Sequence, residues 1–187
     1  MLSQKLGLSL PSGKNVEWLP TDESSLVAWY QKGEGIGVDG SGNVERWGDS
    51  SANSHTMAQS EATKRPAYSN GVLTFDPSTS ENLQTSSQIS LAEGFTIAFR
   101  ANPAATNVTI LADNTTSNEF IKYSTSTRIV IKIDGTSKNL NLDKGSFGDD
   151  YIIISRDGSD VITLYHNGDA QSGTQTLAGE CDIDAIG

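Results

Sequence analysis

Short apolar runs, each closed by a turn residue, recur along nearly the whole chain, and this rhythm limits the fold more than any other feature. The runs at 26–30, 44–47, 72–75, 95–99, 108–112, 120–123, 128–133, 151–155 and 161–165 read as strands. Shorter candidates lie at 55–58, 83–85, 140–142 and 183–186. Several runs alternate. Ile129, Ile131 and Ile133 share one face; so do Phe95, Ile97 and Phe99; and Val161, Thr163 and Tyr165 oppose Ile162 and Leu164. Between the runs stand Asn70-Gly71, Asp134-Gly135, Asp157-Gly158 and Asn167-Gly168, pairs that readily supply the positive φ angles of tight hairpins. No long segment has a helical period. The pattern predicts an all-β chain of antiparallel strands, with Trp29, Phe75, Phe95, Ile97, Phe99, Ile131 and Leu164 in its core.

The 187 residues suffice for one sandwich domain. Thirteen basic against 23 acidic residues give a net charge of −10, and no basic stripe exists for phosphate contacts. Nucleic acid is therefore excluded as a partner. Cys181 is the only cysteine, so no intrachain disulfide can form, and the thiol reads as a buried, inert one. No apolar run reaches the length of a membrane span, and the N-terminal leucines are too interrupted for a signal-peptide core.

Residues 1–22 read as an extended arm and 23–187 as the sandwich domain. In the arm, Leu6, Leu8 and Leu10 alternate with Gly7 and Ser9, and Trp18 and Leu19 form a second apolar patch. Such an arm either docks on its own domain or adds to a neighbouring subunit as a strand. Leu6, Leu8, Leu10, Trp18 and Leu19 are the expected assembly contacts.

Three local patterns resemble laminin-G-like domains of the concanavalin-A type. They are SLVAWYQKGEGI from Ser25, VERWGDSSANSHTM with the later RPAY and GVLTFD, and YIIISRDGSDVITLYHNGDAQSG from Tyr151. The resemblance implies an antiparallel two-sheet jelly roll. It also implies one strand beyond the apolar run that ends at Ile186, so a sheet edge is expected to stay open unless something else pairs with it. The arm and the Ser/Thr/Asn-rich style are similar to virion structural proteins of tailed bacteriophages.

The laminin-G-like resemblance directs attention to three kinds of site. Laminin-G-like domains often hold calcium at a loop rim, an ion that takes about six to eight oxygens. Asp113, Asn114 and Asp150, in oxygen-rich loops, are the candidate ligands. Turn stabilisation by the same side chains is the competing reading. For sugar, Tyr68 and Tyr123 are the candidate stacking residues, because Trp29 and Trp47 fall at core positions. Glu180, Asp182 and Asp184 resemble the acidic strand of laminarinase-type glucanases. Catalysis there needs two carboxyls about 5–5.5 Å apart in a retaining enzyme. Positions four apart on a strand are about 13 Å apart, and Asp184 is a methylene short, so an exposed acidic face is expected instead. His55 and His166 lie far apart with no cysteine partner nearby.

The expected function is that of a non-enzymatic virion structural or appendage protein, working in assembly, decoration or adhesion at the particle surface. Its partners are copies of itself, other virion proteins and cell-surface glycan, with no membrane insertion and no cofactor other than calcium. The alternatives are a lectin-like carbohydrate-binding module and, behind it, a glycan hydrolase.

Overall fold

The computed structural model describes residues 18–187. The strands in chain order are β1 (Ile36–Val38), β2 (Val44–Trp47), β3 (Met57–Ala58), β4 (Ala67–Ser69), β5 (Val72–Thr74) and β6 (Leu83–Leu91). There follow β7 (Phe95–Ala101), β8 (Val108–Ala112), β9 (Phe120–Thr125), β10 (Arg128–Ile133) and β11 (Thr136–Asn141). The last are β12 (Asp150–Arg156), β13 (Val161–His166), β14 (Asp169–Ala170), β15 (Gln175–Thr176) and β16 (Cys181–Ile186). Helix among the described residues is confined to single 3-10 turns at Pro20–Asp22 and Ala62–Lys64.

A nine-stranded antiparallel sheet runs β1-β2-β3-β6-β16-β8-β9-β10-β11. A five-stranded sheet runs β14-β13-β12-β7, with β15 also on β13, and β4-β5 form a separate hairpin. The inward side chains of the two large sheets meet in one core, giving the molecule its β-sandwich character. Ile121, Ile129, Ile131, Ile133 and Leu140 come from one sheet and Ile152, Ile154, Ile162 and Leu164 from the other, none of them more than 2% exposed. The alternation read in β10 and β13 decides which residues these are. A smaller cluster of Val44, Met57 and Leu83 gathers half-buried Tyr30, Trp47, Tyr68 and Phe75.

Of the expected core residues, Phe95, Ile131 and Leu164 are buried, while Trp29, Phe75, Ile97 and Phe99 are half-buried. Ile97 and Phe99 sit on β7, which has β12 on one flank and, among the described residues, no strand on the other.

The hairpin pairs behave as their chemistry predicts, with one instructive exception. Asn70-Gly71, Asp134-Gly135 and Asn167-Gly168 adopt positive φ at both positions. In the β12–β13 turn the positive φ falls on Asp160 instead, and the Asp157 carboxylate accepts the Ser159 and Val161 amides. One glycine is required by close approach: Gly35 has φ +66°, and a Cβ there would lie 3.1 Å from the Gly48 backbone.

Two expectations are corrected. Residues 26–30 form no ladder; side chains bond much of their backbone, and the Ser50 amide donates to the Trp29 carbonyl at 2.7 Å. Asp49 Oδ1 accepts the Trp29 amide at 2.8 Å, Ser51 Oγ donates to the Val27 carbonyl at 3.1 Å, and Asn53 Nδ2 donates to the Leu26 carbonyl at 2.8 Å. The short run at 83–85 is the start of a nine-residue strand whose serines hide it. β16 lies inside the large sheet, pairing with β6 on one side and β8 on the other. Among the described residues that sheet ends at β1 and β11.

Candidate functional site

The loop between β8 and β9 consumes its own oxygens. Asp113 Oδ1 accepts the Thr115 amide at 2.7 Å and its hydroxyl at 2.6 Å, and Oδ2 accepts the Thr116 hydroxyl at 2.6 Å. Burial pushes the Asp113 carboxyl up, but these donors outweigh it and bring it down to about 2. Glu119 Oε1 accepts the Asp134 amide at 3.0 Å. Asp184 Oδ1 accepts the Asn114 amide at 2.6 Å, so Asn114 contributes through its main chain. Burial, with the Asp113 charge adding to it, raises both Glu119 and Asp184. Among the described residues no three His, Cys, Asp or Glu side chains are grouped to hold a metal ion.

Asp150 is elsewhere, at the end of the other sheet. Its Oδ2 accepts the Gly148 amide at 2.6 Å and lies 3.0 Å from His166 Nε2, and its Oδ1 accepts Asn167 Nδ2 at 2.7 Å. Burial opposes ionisation, yet the Asn167, His166 and Gly148 contacts hold the carboxyl at about 2. The three calcium candidates therefore do not converge on one point.

Tyr123 belongs to the Asp150 cluster rather than to a sugar platform. It is 2% exposed, and its ring meets Phe147 edge-on at 4.8 Å, so no ring face is open to a sugar. Phe147 in turn meets the His166 ring at 5.8 Å. The Tyr123 hydroxyl is buried without a partner among the described residues, and burial, with the nearby Asp150 charge, raises its pKa. A cleft of about 250 Å³ opens beside His166, lined by Asp143, Lys144, Asp169, Ala170 and Gln171 as well. Several of its polar groups are already engaged: Asp143 accepts the Ser172 amide and hydroxyl, and Gln171 donates to the Asp169 carbonyl.

Tyr68, on β4, is half-buried against the smaller cluster. The aromatic that sequence reasoning missed is Tyr151, 60% exposed, with the Arg100 guanidinium 5.2 Å from its ring centroid. Arg100 is itself paired in two-point fashion with Asp149, at 2.9 and 2.6 Å. The signal was present: Ile152 and Ile154 point inward, so alternation turns Tyr151 out.

Glu180, Asp182 and Asp184 form no acidic row. Glu180 precedes β16, Asp182 Oδ1 accepts the Ser90 hydroxyl at 2.5 Å, and Asp184 is only 7% exposed. The cause is a register break. Between Ile183 and Ala185 the partner on β6 jumps from Ile89 to Gln84, and the extra β6 residues bulge out. Period-two alternation fails at that bulge, and the expected exposed acidic face is lost with it.

Cys181 is buried, and burial pushes its thiol up to about 12 despite the Arg156 charge. Of the assembly candidates, Leu6, Leu8 and Leu10 lie outside the described residues. Trp18 and Leu19 are 66% and 47% exposed. No protein-family model matches this chain, and no curated protein or solved structure is significantly similar to it.

Proposed function

We propose that this chain is a non-enzymatic structural or appendage component of a virus particle, built on a laminin-G-like jelly roll. Its work is assembly, surface decoration or adhesion, and its partners are copies of itself and other particle proteins. The observation that carries this reading is the exposure of Trp18 and Leu19 beside the turn at Pro20–Asp22. A tryptophan and a leucine held in water at the entry to the sandwich favour a partner surface that covers them. The alternating Leu6, Leu8 and Leu10 extend the same apolar character toward the N-terminus. The test is deletion of residues 1–20, with the fold followed by circular dichroism and the assembly by sedimentation. The variant should stay folded and lose higher-order assembly; the same higher oligomer in the variant would remove the arm from the account.

A second reading has its own observation. The polar cleft beside His166 and the outward Tyr151 suit a lectin-like module for surface glycan. Glycan-array binding that is lost in Lys144→Ala and retained in Trp18→Ala would favour it.

A further inference from the structure

The sheet ends of this sandwich are unequal. β1 has three residues, β14 and β15 have two each, and β11, Thr136–Asn141, is polar on its outward side and carries Lys138. Short or charged edges of this kind resist pairing with other chains. β7 differs from all of them. It is seven residues long, Phe-Thr-Ile-Ala-Phe-Arg-Ala, and among the described residues it pairs only with β12. On its other flank no described residue pairs with its backbone donors and acceptors, next to Ile97 and Phe99 that remain half-buried on the core side.

We infer that β7 is a self-association edge, which pairs antiparallel with β7 of a second copy about a two-fold axis through Ala98. This rests on no part of the particle reading above. The sequence of the strand is complementary to itself in that register. Phe95 stands opposite Ala101 of the second copy, Ile97 opposite Phe99, Thr96 opposite Arg100, and Ala98 opposite Ala98. Directly opposed residues in an antiparallel pair share a face. The apolar set therefore stays on the core side in both copies, and each half-buried Ile97 gains a phenyl neighbour. The one charge in the strand, Arg100, meets a threonine and is already neutralised by Asp149. The two Arg100 side chains are offset by four residues, about 13 Å, beyond the ~8 Å screening length at physiological salt. A two-fold contact of this kind closes on itself and yields a dimer with one continuous sheet.

Ala98 is exposed and points away from the core, so its substitution tests the contact without disturbing the interior. Ala98→Lys places two like charges directly opposite each other. Sedimentation across a dilution series should show the full chain as a concentration-dependent dimer. Both Ala98→Lys and Ala98→Glu should sediment as monomers with an unchanged β spectrum. An equimolar mixture of the two variants should restore the dimer, because opposite charges then face across the axis. Ala98→Cys should cross-link to itself under mild oxidation, since Cys181 is buried and cannot compete. The inference is overturned if the wild-type chain is monomeric throughout. It is also overturned if neither charged variant dissociates, or if the mixture fails to restore association. Loss of the dimer on deletion of residues 1–20 would identify the arm as the strand that occupies this edge, and would overturn self-pairing as well.

Discussion

Two single charges organise two regions of this molecule in opposite ways. At one junction Arg156, 2% exposed, donates from Nε to the Glu93 carbonyl at 2.6 Å and from Nη1 to the Gly179 and Leu177 carbonyls at 2.6 and 3.3 Å. Its guanidinium lies 4.7 Å from the Phe95 ring centroid. It ties the β6–β7 turn and the approach to β16 onto the core. At the other junction Asp49 accepts the Trp29, Ser51 and His55 amides at 2.8, 2.8 and 2.9 Å, and the Ser51 hydroxyl at 2.7 Å. It pins the extended 26–30 segment where no ladder exists. A cation gathers carbonyls in the dry region and an anion gathers amides in the half-wet one. The arginine cannot be neutralised at any working pH, whereas the aspartate can. The two regions should therefore separate under acid and under mutation.

The largest effect should come from Arg156→Met. It keeps apolar bulk and leaves several carbonyls of the junction without their donor. A cost of about 3 kcal/mol or more is expected, since each buried carbonyl left without a donor costs about 1–3 kcal/mol. Denaturant unfolding would measure it, and a loss below about 1 kcal/mol would mean the guanidinium is not the tie described.

Asp49→Ala should cost less, about 2–3 kcal/mol, because the released amides lie nearer water. Its effect should also be local. Trp29 is half-buried in the segment Asp49 holds, so its fluorescence should shift toward that of an exposed indole before global unfolding. A purely global loss, with no early change at Trp29, would break the contrast between the regions.

Acid sharpens the same contrast without mutation. Burial raises the Asp49 carboxyl, but the Trp29, Ser51 and His55 donors outweigh it and hold it below the usual value. A carboxyl lower in the folded state than in the unfolded one stabilises the fold above an unfolded value of about 3.9. That stability is lost as the pH falls through the folded value. Asp113 and Asp150, both at about 2, remove global stability in the same window. The comparison must therefore be made residue by residue. Below about pH 4 the Trp29 amide should lose exchange protection ahead of the β7 and β12 amides. Simultaneous loss in both regions would count against the assignment.

The smallest effect is expected from a chelator. The Asp113 oxygens are occupied by loop donors, and Asp150 is bound to His166 and Asn167. Thermal unfolding with and without a calcium chelator should coincide. A clear drop in Tm would show that an ion binds the folded chain by mass action.

The fold was legible where period and turn chemistry agree. RIVIKI and YIIIS carry their burial in their alternation, and three Asx-Gly turns fall at the positive φ angles they favour. It was illegible where long-range bonds replace ladders. LVAWY looks like a strand, but its bonds go to the Asp49, Ser51 and Asn53 side chains and the Ser50 amide, which local pattern does not link to it. β1 was missed because Ile36 and Val38 sit among glycines and read as loop. For the sites, Tyr151 was readable from alternation, whereas the burial of Asp184 depends on a bulge in a partner strand a hundred residues earlier. Arg156 could not be found at all, since one arginine at a strand end looks like a surface charge until the turns around it are in place.

The central place of β16 bears on how the chain reaches this state. Its hydrogen-bonded partners on β6 lie 92 and 99 residues earlier, at Ser90 and Thr85. When β6 and β8 leave the ribosome, the strand that belongs between them has not yet been made. Contacts of such long range slow folding. Until residues 181–186 arrive, two incomplete half-sheets expose flanks able to pair with the wrong neighbour. The nascent chain should thus be open to mispairing until residues 181–186 are made, and β16 is the strand that commits β6 and β8 to one sheet.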